Sequence, residues 1–214
     1  MLHMDAILAA VRAALLFLAL FGLAGTAGAA SVQVTVRDSH GAPVANVAVW
    51  AQPKVAPAQM PKREASIEQK DKTFIPLVTV IQVGTAVSFP NRDEIRHHVY
   101  SFSAAKTFEL KLYAGTPAAP VLFDKPGEVI LGCNIHDTML AFVYVVETPW
   151  FGKTNAEGVA VMDNVPAGDY EINVRHFAQA SPQAAQPMTL RGDEKASAAF
   201  EVTLKALPPR PAAK

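Results

Sequence analysis

A single cysteine, Cys133, stands in a chain of 214 residues, so no intramolecular disulfide can staple this fold. The 19 basic and 19 acidic residues cancel, and neither sign gathers into a long run. That absence excludes the basic footprint of a nucleic-acid binder and argues against any partner held mainly by bulk charge. No stretch carries the spacing of an amphipathic helix, and no fixed-period repeat runs through the chain. What the chain does have is apolar residues at half of its positions, enough to build the cores of one or two domains.

Residues 1–29 read as a secretory signal peptide: Arg12 precedes the apolar run AALLFLALFGL, and small residues follow at Ala27 and Ala29. The run is shorter than the ~20 apolar residues that span a bilayer. The expectation is a soluble protein, periplasmic or otherwise exported, that begins near Ala30 and keeps no stable membrane anchor. An oxidising compartment normally uses cysteines in pairs. Cys133 has no such mate, so its thiol calls for burial or a metal bond.

From residue 31 onward, short alternating stretches recur between turns. Val32, Val34 and Val36 share one face of VQVTVRD, SHGAP turns the chain, and VANVAVWA continues the alternation, which predicts a first hairpin ending near Trp50. Residues 56–66 have neither period and read as an exposed linker. The strands of residues 67–148 lie at the spacing of an all-β sandwich. Residues 149–204 add further strands, with Tyr170, Ile172 and Val174 alternating with Glu171 and Asn173, before a Pro-rich tail at 205–214. His40 in a turn and His176 at a strand end are expected to be solvated. Asp93 and Glu94 are expected to be charged surface, and Trp50 and Trp150 to serve core or interdomain packing instead of a redox relay.

The chemistry concentrates in LGCNIHDTMLAF, where Cys133, His136 and Met139 follow one another at intervals of three. Two imidazoles, one thiolate and a weak thioether suit copper, because they are a compromise between the geometries of its two oxidation states. A short turn after the strand GEVILGC can bring three of these side chains to one point. NRDEIRHHVYSF offers the fourth from a separate strand. Alternation sends His97 and His98 to opposite faces, so only one of them can point at the loop, and alternation does not say which.

TFIPLVTVIQVGTAVSFPNRDEIRHHV followed by FDKPGEVILGCNIHDTM resembles the cupredoxins, the small blue-copper proteins, and the loop is similar to the short ligand loop of amicyanin. The resemblance implies a Greek-key β-sandwich of cupredoxin type over residues 67–148, with His97, Cys133, His136 and Met139 holding one type 1 copper ion. His98 stands where that family commonly has Asn, and Ile135 and Asp137 replace the prolines of the amicyanin loop. The flanks, residues 30–55 and 149–204, resemble the two parts of a carboxypeptidase regulatory-like, transthyretin-like sandwich, a combination found in proteins labelled methylamine-utilisation. The cupredoxin would be inserted in that second small sandwich or fused to it.

The resemblance implies one-electron transfer with a redox partner protein, with His136 as the port. No acid/base pair or open coordination position suggests an enzyme. Copper storage or delivery would use the same ligands, and a metal-free β-sandwich binding module would need none of them. The sequence carries no signal of oligomeric state.

Overall fold

A computed structural model describes residues 28–55, 63–117 and 119–206. The expected signal peptide up to residue 27, most of the expected linker and the tail from residue 207 lie outside the described residues. Among the described residues the chain is all β, in chain order β1 (Ala29–Asp38), β2 (Ala48–Pro53), β3 (Glu64–Ser66), β4 (Glu68–Lys70), β5 (Thr73–Ile75), β6 (Val78–Gln82), β7 (Thr85–Ser88), β8 (His97–Ser103) and β9 (Lys106–Tyr113). There follow β10 (Val121–Phe123), β11 (Gly127–Gly132), β12 (Leu140–Val146), β13 (Phe151–Lys153), β14 (Val159–Pro166), β15 (Gly168–Arg175), β16 (Gln186–Leu190) and β17 (Lys195–Val202). No helix among the described residues is long and apolar enough to cross a membrane.

Alternation decides the layers, because each strand offers one apolar face and must bury it against another sheet. β14-β1-β17 forms a first layer, β13-β2-β15-β16 a second, β6-β12-β11-β8-β9 a third and β10-β7-β3 a fourth. Val32, Val34 and Val36 meet Val49, Ala51, Ile172 and Val174 between the first two layers. Val99, Val129, Leu131 and Val143 meet Val87 and Phe123 between the last two. Strand order within these last two layers does not follow the chain, since β7 and β10 lie in the fourth layer and the strands around them in the third. This crossing between sheets is that of a Greek-key sandwich.

The middle layers touch through the opposite faces of the same strands. Ala48, Val78 and Tyr144 are buried there, and Phe142 stacks on Phe177 with ring centroids 4.4 Å apart. Arg175 on β15 reaches Glu128 on β11 at 3.3 Å, and the half-buried Lys153 donates to the Val78 carbonyl at 2.9 Å. A cavity of about 300 Å³ remains between these layers, lined by Trp50, Glu128, Tyr144 and Arg175 among others.

Two expectations change. β1 and β2 do not form a hairpin: β1 pairs with β14 and β17, and β2 with β13 and β15. Their valines face each other across the core instead of lying side by side: the connection pairs with β1 at Pro43 and Val44 and then passes to the other layer, with Asn46 at a φ of 60°. The expected linker also ends early, since residues 64–66 form β3 and pair in parallel with β7.

Candidate metal centre

Cys133 directly follows β11, and the way β11 lies against β8 depends on the residue before it. A Cβ at Gly132 would come within 2.8 Å of the Tyr100 ring, so only glycine lets the aromatic ring of β8 lie over the backbone beside the cysteine. After Cys133 the chain turns, Met139 donates its N–H to the His136 carbonyl at 2.9 Å, and β12 then departs. His97 opens β8. One end of the third layer thus collects a strand end, a tight loop and a strand start.

That end brings His97, Cys133 and His136 together: one ligand atom from each lies within 4.8 Å of the others. The His97 and His136 rings have centroids 5.1 Å apart. Cys133 is 3% exposed and His97 and Met139 are fully buried; Met139 belongs to the same core cluster as Cys133. Nδ1 of His97 and Nδ1 of His136 are both buried without a hydrogen-bond partner. A buried nitrogen normally finds a partner, and leaving one unpaired costs about 1–3 kcal/mol. Two such nitrogens beside a buried thiol make a soft, nitrogen-rich donor set of the kind that takes copper.

The electrostatics favour neutral imidazole at the loop. Burial pushes the His136 pKa below its ordinary value, and the neighbouring His97 pushes it the same way. Metal ions bind the unprotonated ring, so both influences favour ligation over protonation. Ile135 and Ile95 stand 46% and 42% exposed, placing apolar surface directly beside His136 in the one case and near His97 in the other.

Asp93 is not the free surface charge that the sequence suggested. Its Oδ2 lies 2.7 Å from Nε2 of His97, and its carboxylate also accepts the backbone N–H groups of Asp71 at 2.7 Å and Lys72 at 3.0 Å. Burial alone would raise its pKa, but the bonds from Lys72, His97 and Asp71 outweigh burial and hold it below the ordinary carboxylate range. The only sequence signal was its place four residues before His97.

His98 points away from the cluster, as alternation requires. It is buried, its Nε2 lies 2.8 Å from Glu109 Oε1, and its ring packs near Tyr100. Under the cluster, Tyr113 donates to the Phe89 carbonyl at 2.7 Å and receives a hydrogen bond from the fully buried Gln69. Burial raises the Tyr113 pKa to about 12, and the nearby Cys133 adds to the rise. His40 is exposed as expected, but His176 is only 6% exposed: its Nδ1 accepts the Ala178 N–H at 3.1 Å, and burial lowers its pKa to about 4. Trp150 packs edge-on to Tyr170, as expected of a core residue.

The fold and site define an all-β protein with a candidate His/Cys/His ligand cluster, its His97 and Cys133 buried and His136 partly buried, at one sheet end. No protein-family model matches the chain, and no curated protein matches it. Among solved structures, it is similar to a copper-containing nitrite reductase from Thermus scotoductus SA-01 at 26% identity over 45% of this chain, with a TM-score of 0.38. The matching part spans only 26% of that nitrite reductase. It is also similar to a purple cupredoxin from Nitrosopumilus maritimus, at 21% identity over 39% of this chain and 99% of that one, TM-score 0.34. The amicyanin of Paracoccus versutus matches at 17% identity over 46% of this chain and 97% of its own, TM-score 0.34.

Proposed function

We propose that this chain is an exported type 1 copper protein that carries single electrons to and from a redox partner protein. The observation that carries the reading is the cluster itself: His97, Cys133 and His136 converge within 4.8 Å, and two buried Nδ1 atoms stand without partners. His97, Cys133 and His136 would hold the ion, with Met139 as the weak fourth ligand. Copper bound there would supply one-electron chemistry, cycling between Cu(I) and Cu(II).

The residues of the chain do the rest. Burial of Cys133 keeps a lone thiol from oxidants in the exported compartment to which residues 1–29 would direct it. The positions of Cys133 at a strand end and His97 at a strand start tie two ligands to the rigid third layer, which limits rearrangement on redox change. Ile135 supplies apolar surface against which a partner can exclude water beside His136. No acid/base role is assigned to any of these groups.

Titration of the purified protein with Cu(II) is expected to give an intense visible thiolate-to-copper band that saturates at one equivalent and is lost in Cys133→Ser. A colourless protein at stoichiometric copper would overturn the proposal. Repeated reduction and reoxidation without loss of metal separates an electron carrier from a copper store.

A further inference from the structure

We infer that Asp93, clamped by the tip of the β4–β5 hairpin, is a positioning residue that sets His97 for metal before any metal arrives, by holding its ring as the Nε2–H tautomer. The part of this that concerns copper rests on the function proposed above; the part that concerns the imidazole does not.

The contact is sheltered. The His97 side chain is fully buried and that of Asp93 is 13% exposed, with 2.7 Å between Nε2 and Oδ2. A carboxylate can only accept, so the proton of a neutral ring must sit on Nε2, and Nδ1, which has no other partner, keeps its lone pair. A histidine that ligates through one ring nitrogen is commonly oriented through the other in this way.

Asp93 is itself held from several sides. Oδ1 accepts from Asp71 N–H, Oδ2 from Lys72 N–H, and the Asp93 N–H donates to Asn91 Oδ1 at 2.9 Å. Asn91 in turn donates through Nδ2 to the carbonyls of Ile95 at 2.8 Å and Tyr113 at 3.0 Å, so both ends of the segment leading to His97 are pinned.

The hairpin tip has an unusual backbone for its sequence. Lys70 pairs with Thr73, which leaves Asp71 and Lys72 as a two-residue turn, and their φ values are 51° and 57°. Neither is glycine, the residue that enters the left-handed region without a steric cost. The turn nevertheless directs two consecutive N–H groups onto one carboxylate. Around this contact the hairpin lies along the ligand segment: Gln69 bridges Asn91, and Glu68 meets Arg92 at 3.3 Å. A carboxylate that served only to cap the turn would have no need of His97, yet Oδ2 serves both Lys72 and His97.

Imidazole ¹⁵N spectra of the metal-free, full-length protein test this directly. His97 is expected to show a protonated Nε2 whose proton exchanges slowly, and an unprotonated Nδ1. Asp93→Asn, which keeps the size but not the charge, is expected to give mixed tautomers at His97. It should also weaken Cu(I) affinity about 10–100-fold in chelator competition. A wild-type His97 protonated on Nδ1 overturns the inference, and so does an Asp93→Asn protein with the wild-type tautomer and unchanged affinity. If Asp93→Asn does not fold, the wild-type spectrum decides alone. A protein that binds no copper overturns the proposed function, while the tautomer still decides the role of Asp93.

Discussion

The core between the first two layers and the core between the last two are both made of alternating valines, isoleucines and phenylalanines, but their polar groups are treated differently. Around the first core, Thr154 Oγ1 accepts from Val47 N–H at 2.9 Å and donates to the Val44 carbonyl at 2.8 Å, and the Tyr170 hydroxyl donates to the Pro166 carbonyl at 3.0 Å. At one end of the second core, the His97 and His136 Nδ1 atoms remain buried and unpaired. A sandwich serving only stability gains nothing from such atoms. Gln179 Nε2 in the first region and Gln82 and His98 Nδ1 in the second are also buried and unpaired, so what marks His97 and His136 as the place for a ligand is that their imidazoles also converge on the Cys133 thiol.

The sharpest way to break this comparison is to damage each core separately. Phe123→Ala in the second core and Phe200→Ala in the first should each cost about 3–5 kcal/mol in denaturant unfolding, since both rings are buried. The copper band of the folded Phe200→Ala protein should be unchanged. A band lost there would show that the first sandwich contributes to the site.

Acid supplies a smaller perturbation at the contact between the two regions, where Phe177, next to His176, stacks on Phe142. The folded-state pKa of His176, about 4, lies below the ordinary 6.5. Between those values the unfolded chain binds a proton that the native protein refuses, so stability falls as pH drops from about 6.5 to about 4 and this loss then levels off. Urea melts across that window should show a shallower pH slope in His176→Gln. An identical slope would place the acid sensitivity elsewhere. The smallest effect is expected at the Arg175–Glu128 pair that bridges the middle layers. Its side chains are 33% and 29% exposed, so Arg175→Met should cost no more than about 1 kcal/mol in the same melts.

Strand alternation made the sheets legible, because burying one face of VQVTVRD or YEINV leaves few arrangements. It did not reveal that β1 and β2 sit across the core from one another, since period two is the same for neighbours in a sheet and for opposites in a sandwich. The ligand cluster was legible because its residue types are rare in this chain and closely spaced. Asp93 was missed because its function comes from the hairpin tip more than twenty positions upstream, a long-range contact that a local reading treats as charged surface. His176 was missed for a different reason: it sits in a tight turn with Phe177, Ala178 and Gln179, and a strand-end histidine looks the same exposed or covered.

The pairing of β2 with β13 has one more consequence. Trp50 and Phe151 are partners across two adjacent antiparallel strands, and the Ala51 N–H meets the Trp150 carbonyl at 2.9 Å. In the first sandwich, everything between these strands occupies the place of a hairpin connection, and all four candidate ligands lie inside it. Long excursions cost a closed loop little extra entropy once their ends are adjacent. The end that carries the candidate ligands thus enters and leaves the first sandwich at neighbouring points, and excising it at that seam is expected to require that the apolar patch around Ala48, which it now covers, be made polar.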